Sequence, residues 1–99
     1  MIDYSHLAVF IDSQRDGAAV IIRPRLANPQ PLALRYRMTV TQQSSAGTSN
    51  IAQGGELRSD ASAGSVRLSV PAGATCQVHL EVFDEDRLIK ALEAPCEGG

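Results

Sequence analysis

The stretch LALRYRMTVT, residues 32–41, alternates apolar and polar side chains without a break. Leu32, Leu34, Tyr36, Met38 and Val40 fall on one side, and Ala33, Arg35, Arg37, Thr39 and Thr41 on the other, because successive side chains of an extended chain point to opposite faces. A period of two sustained over this length makes a strand with one face on a core and the other in water. The same period recurs to either side. Toward the N-terminus a strand is expected over 18–26 and another over 7–13. They are joined at Gln14-Arg15-Asp16-Gly17, where Asp-Gly accepts the positive φ of a tight hairpin turn. Asn28-Pro29-Gln30-Pro31 lacks two ladder donors and reads as a crossing loop.

Toward the C-terminus, residues 42–49 are polar and contain glycine, which reads as a loop. Residues 50–57 carry enough apolar content for a short edge strand only, interrupted by Gly54-Gly55. The stretch 65–70 buries Val66, Leu68 and Val70, Pro71-Ala72-Gly73 turns the chain, and 75–83 buries Cys76, Val78, Leu80 and Val82. Asp84-Glu85-Asp86 starts the last turn and 87–93 closes the fold. No window holds a period of 3.6. Roughly seven short strands marked by turn chemistry give an all-β chain, expected as an immunoglobulin-like two-sheet antiparallel β-sandwich, with a small Greek-key barrel as the alternative. The shared core is expected to hold Leu34, Tyr36, Met38, Val66, Leu68, Val78, Leu80 and Val82.

The 99 residues, 43% of them apolar, suffice for one core and not for two, so a single domain over 1–99 is expected, with 1–6 and 97–99 as loose ends. Nine Lys and Arg against eleven Asp and Glu give a net charge of -2, without the positive excess that dominates affinity for nucleic acid. The longest apolar runs, 7–11 and 18–22, are far shorter than the roughly 18–20 residues that span a bilayer. The beginning of the chain, MIDYSHLAVFIDSQ, has no basic region and its apolar run stops at Asp12, so it does not read as a signal peptide.

Cys76 and Cys96 lie 20 positions apart, with the acidic turn near their midpoint. Opposed residues of an antiparallel hairpin have a constant sum of residue numbers, and the sum that pairs Leu80 with Leu92 and Val78 with Ala94 also pairs Cys76 with Cys96. Placed in a non-hydrogen-bonded pair, their Cα atoms stand near 4.5 Å, at the short end of the disulfide range. A disulfide is expected there and implies an oxidising compartment; the other reading is two unrelated thiols, one in the core and one in a tail.

No chemistry-bearing motif is present. His6 and His79 lack metal-ligand spacing with either cysteine, and C-x-x-C, H-E-x-x-H, a phosphate-binding glycine loop and a nucleophile elbow are all missing. No metal or other cofactor and no catalytic residue are expected; His79, between Gln77 and Glu81, reads as a solvated strand residue. Charge placement is more informative. Residues 23–67 hold six arginines and two acids, whereas 84–99 hold five acids and two cations. Arg23 and Arg25 share a face of the second strand and Arg67 points outward on the fifth, its neighbour in an immunoglobulin-like order, so the three are expected to form a basic stripe. Arg35 and Arg37 fall on the opposite sheet. Either set serves edge protection and solubility, or a partner-binding surface.

The pattern AAVIIRPRLANPQPLALRYRMTV, then QQSSAGTSNIAQGG, then SVRLSVPAGATCQVHLEVFD, resembles the CsgC/CsgH family of curli-associated amyloid inhibitors, its CsgH members most of all. The resemblance covers most of the chain. It implies a small periplasmic immunoglobulin-like protein whose partner is an amyloidogenic curli subunit kept from assembling before export; a monomer is expected. No cofactor, no nucleic-acid partner and no membrane span are expected. Many members of the CsgC type carry a C-x-C pair on the third strand; the corresponding stretch here is Leu32-Ala33-Leu34, so a redox role for that pair does not carry over. The residues expected to meet the partner are Arg23, Arg25 and Arg67, with Arg35 and Arg37 as the second face. A non-catalytic adhesion or accessory module of an extracellular assembly is the other class the same residues allow.

Overall fold

The alternating segment runs through the interior of a four-stranded sheet. In the computed structural model, which describes residues 6–61 and 63–96, seven strands follow one another: β1 (Ala8–Asp16), β2 (Ala19–Ala27), β3 (Ala33–Ser44), β4 (Gly47–Arg58), β5 (Val66–Ser69), β6 (Thr75–Asp84) and β7 (Arg87–Pro95). They form two antiparallel sheets, ordered β1-β2-β5 and β4-β3-β6-β7. This is the all-β two-sheet sandwich expected from the alternation, with β2 beside β5 as an immunoglobulin-like order requires. Of the expected loose ends, only His6 is among the described residues.

The inward faces meet in one apolar cluster. All eight residues expected in the core are buried, and Val20, Ile22, Leu26, Val40, Leu57 and Cys96 join them. Val70 and Cys76 are half-buried rather than buried and pack against the cluster's margin. Pro24 is also fully buried although it stands inside a strand. The ladder explains why. Val70 donates its N–H to the Ala18 carbonyl, which turns the even-numbered residues of β2 toward β5. The pairing with β5 ends at Ile22, so the missing N–H of Pro24 faces a border with no strand on it and breaks no ladder bond.

The β3–β4 region departs from expectation. Residues 42–49 are not a loop: β3 continues to Ser44, Ser45-Ala46 makes a two-residue turn, and β4 starts at Gly47. Nor is β4 short or broken at Gly54-Gly55, since its twelve residues pair with β3 in unbroken register. The reason is that β4 is held by its backbone ladder and not by burial; apart from Gln53 and Leu57 it is exposed on both faces, so it carries no apolar alternation to read. At Gly54 the lack of a side chain suits the close ladder, because a Cβ there would stand 3.0 Å from the Tyr36 carbonyl oxygen and press the two strands apart by a few tenths of an ångström.

The hairpin arithmetic at the C-terminal end holds. Leu80 faces Leu92, Val78 faces Ala94, and Cys76 and Cys96 are joined in a disulfide. The pair is a hydrogen-bonded one, with Cys96 N–H donating to the Cys76 carbonyl at 3.1 Å and the Cα atoms 5.3 Å apart. This replaces the closer, non-hydrogen-bonded placement that had been expected and lies nearer the middle of the disulfide range. Nearer the turn the register slips by one: Val82 faces Lys90 but Phe83 faces Leu88, so Ile89 is an extra residue on β7. Glu85 opens the turn at φ 57, a left-handed conformation costly for a side chain with Cβ but tolerated in a two-residue hairpin turn.

Candidate partner-binding surface

Both sets of arginines lie where the alternation puts them, outward and exposed, but their surroundings differ. On the outer face of β1-β2-β5, Arg23 and Arg25 stand on β2 and Arg67 on β5, with Arg67 opposite Ile21, the next outward residue of β2 after Arg23. The expected basic stripe is interleaved with carboxylates from β1, which sequence spacing on β2 and β5 did not reveal. Arg25 Nε donates to Asp12 Oδ2 at 2.7 Å, and its guanidinium lies 4.0 Å from the centre of the Phe10 ring. Arg67 Nη1 donates to Asp16 Oδ2 at 2.8 Å. Of the three, Arg23 alone has no ion-pair partner among the described residues.

On the other sheet Arg35 and Arg37 project from the outer face of β3. Arg35 lies between Glu56 of β4 and Phe83 of β6, and Arg37 between Gly54 and Glu81. Neither makes a hydrogen bond or ion pair among the described residues: Glu56 is engaged by Arg58 Nη1 at 3.4 Å, and Glu81 stands 3.9 Å from His79 Nε2. The two arginines border a shallow open cleft of about 420 Å³ with Tyr36, Ala52, Gln53, Gly54 and Gly55. Exposed cations that make no ion pair of their own have donors free for a carboxylate brought from outside.

No family model and no curated protein matches the sequence. Solved structures do. The solution structure of R. palustris CsgH aligns with a TM-score of 0.70 at 20% identity, over 91% of this chain and 92% of that one. The E. coli curli protein CsgC aligns with a TM-score of 0.69 at 15% identity, over 88% of this chain and 96% of that one. The chain has the fold of CsgC and CsgH. The resemblance read from the sequence is thus supported at the level of the sandwich and its strand connections.

Three further arrangements on the CsgC/CsgH-like scaffold were not legible in strand spacing. Arg58 clamps Asp60 with two bonds, Nε to Oδ1 at 2.9 Å and Nη2 to Oδ2 at 3.2 Å. These hydrogen bonds hold the Asp60 carboxyl below its ordinary range and Arg58 above its own; an R-S-D run at a strand end is the only signal for this pair. His79 Nδ1 stands 3.2 Å from Glu93 Oε1, so this outward, partly solvent-exposed strand residue also reaches across to β7. Gln42 Nε2 donates to the Ser69 carbonyl at 3.0 Å, linking the two sheets at one end. No group of three or more His, Cys, Asp and Glu among the described residues is arranged to hold a metal ion, and no helix of the described residues is long and apolar enough to cross a membrane.

Proposed function

We propose that this protein is a periplasmic, chaperone-like inhibitor of the CsgC/CsgH type, which suppresses premature amyloid formation by a curli subunit through transient, electrostatically guided contacts. The observation that carries the reading is the pair Arg35 and Arg37: two exposed guanidiniums on one rigid strand, with no ion-pair partner among the described residues. Such cations raise the rate of encounter with an acidic or mixed-charge chain, and a small wet contact lets it leave again. No chemical step is called for. The fold shared with two curli proteins supports the partner class. The Cys76–Cys96 bond fits an oxidising compartment such as the periplasm, and a single sandwich acting as a monomer satisfies the whole arrangement.

The test is a thioflavin time course of a purified curli subunit with this protein at a small molar fraction. A lengthened lag at substoichiometric dose is expected. An unchanged lag and amplitude overturns the proposal, and recovery of a stable one-to-one complex with mature fibres assigns the protein to the accessory modules instead.

A further inference from the structure

The borders of the two sheets are not alike. β5 is four residues long. β1 carries Asp12, Arg15 and Asp16 in its second half. β7 carries the extra residue Ile89 near its start, places Lys90 opposite buried Val82 on the core-facing side, and ends in Pro95. Short length, charge, a bulge, an inward-side lysine and proline are the ordinary devices that stop another strand from adding. β4 has none of them over most of its length. It contains no proline, keeps register with β3 throughout, and carries no charge from Gly47 to Gly55.

The direction of its free hydrogen-bonding groups follows from the ladder. Ser59 N–H donates to the Leu32 carbonyl, one step beyond the pair Ala33 with Arg58, so odd-numbered residues face β3 and even-numbered ones face away. The N–H and C=O groups of Thr48, Asn50, Ala52 and Gly54 are therefore directed at the border. No backbone group among the described residues pairs with them.

A second observation meets the first at Gly54. This residue lies opposite Arg37, and it presents no side chain between that arginine and the border. A strand added along β4 stands two strand spacings from β3, about 9.6 Å, which the summed lengths of an arginine and a carboxylate side chain cover. We infer that β4 is a strand-acceptor border, and that its occupant is an extended segment of the amyloid-forming partner, uncharged except for one carboxylate that lies beyond Gly54 and pairs with Arg37. The inference rests on the inhibitor reading above and names its contact: main-chain bonds along β4 give affinity, and the arginine gives register.

The probe is a short alternating Thr/Val peptide with one central Glu, titrated into the isotope-labelled protein and followed by amide NMR. Shifts or broadening at Thr48, Asn50, Ala52 and Gly54 are expected, with binding at least about tenfold weaker when that Glu is replaced by Lys. Ala52→Pro removes an outward N–H without touching a β3 bond, and Ala52→Lys adds a protecting charge should the first variant fail to fold. Either is expected to abolish the shifts and to raise severalfold the dose that delays curli fibril growth. Shifts confined to the β1-β2-β5 face, or an Ala52→Lys variant that binds the peptide and delays fibrils like the parent, overturn the inference and leave the inhibitor reading standing. Shifts on β4 from a parent that does not delay fibrils overturn the inhibitor reading instead. A free protein that sediments as a dimer and becomes a monomer on Ala52→Lys assigns the border to a second copy and overturns the stated occupant.

Discussion

Gln53 Nε2 donates to the Tyr36 hydroxyl at 2.8 Å, tying the border strand β4 to a core ring on β3. Tyr36 is 6% exposed, so its hydroxyl depends on this partner more than a surface group would. Tyr36→Phe keeps the packing and removes the bond, leaving a half-buried amide with one contact fewer. A loss of about 0.5–1.5 kcal/mol is expected in urea unfolding, with the fold unchanged.

Leu80 has no exposed surface and Leu88 is 50% exposed. Leu80→Ala is expected to cost about 2–5 kcal/mol. Leu88→Ala is expected to stay within about 0.5 kcal/mol. Urea titration of both variants checks the assignment of faces on the β6–β7 hairpin, since a β7 register one residue off turns Leu88 inward and raises the cost of its truncation toward that of Leu80.

Thiol titration of the unfolded, unreduced protein is expected to find close to none. The Cys76–Cys96 bond closes a separation of 20 residues, worth roughly 3 kcal/mol in the chain-entropy account. Reduction is therefore expected to lower the melting temperature by more than about 10 °C for a domain of this size. Calorimetry with and without reductant measures it.

The two arginine faces are expected to behave differently on charge reversal. Arg35→Glu with Arg37→Glu removes cations that hold no ion pair, so the inhibitory dose rises severalfold, while the new carboxylates stand opposite Glu56 and Glu81 at a cost of roughly 1 kcal/mol or less each, which leaves the domain folded. Reversal of Arg23, Arg25 and Arg67 to Glu acts less on inhibition; it breaks two ion pairs and sets carboxylates against Asp12 and Asp16, at roughly 1 kcal/mol or less per exposed pair. Salt at 1 M, where screening acts over about 3 Å instead of about 8 Å, is expected to weaken the parent's effect. Equal delay by parent and the Arg35, Arg37 variant rejects the electrostatic account.

Asp60 is held below the ordinary carboxylate range by its hydrogen bonds from Arg58. A carboxyl whose folded value lies below its unfolded value stabilises the fold above the unfolded value, near 3.9, and loses that contribution as pH falls through the folded one. Carbon-detected NMR titration is expected to show Asp60 as a low-titrating carboxyl, returning toward the ordinary range in Arg58→Gln. Acid unfolding below about pH 4 is expected to be slightly shallower in that variant.

Where apolar alternation met burial on one face, the chain could be read directly. Residues 32–41 and 75–83 gave their strands, their inward sides and the pairing that joins Cys76 to Cys96 without any structure. β4 could not be read this way, since a strand wet on both faces has no pattern beyond its polarity, and its twin glycines look like a break when they are a close approach to Tyr36. The outward direction of Arg23, Arg25 and Arg67 was legible too. Their pairing with Asp12 and Asp16 was not, because it depends on the lateral register of β1 against β2 and β5, which local spacing leaves free.

The opposite borders of the four-stranded sheet, β4 open and β7 closed by Ile89 and Pro95, make the molecule one-sided with respect to sheet growth. Fibre growth needs each added unit to offer a fresh accepting edge to the next. A unit that can take a strand on one side and refuses one on the other ends the row it joins. The same asymmetry limits growth of this sheet in the protein itself, since two copies joined through β4 leave β7 at both outer borders of the joined sheet, and growth through it stops at two.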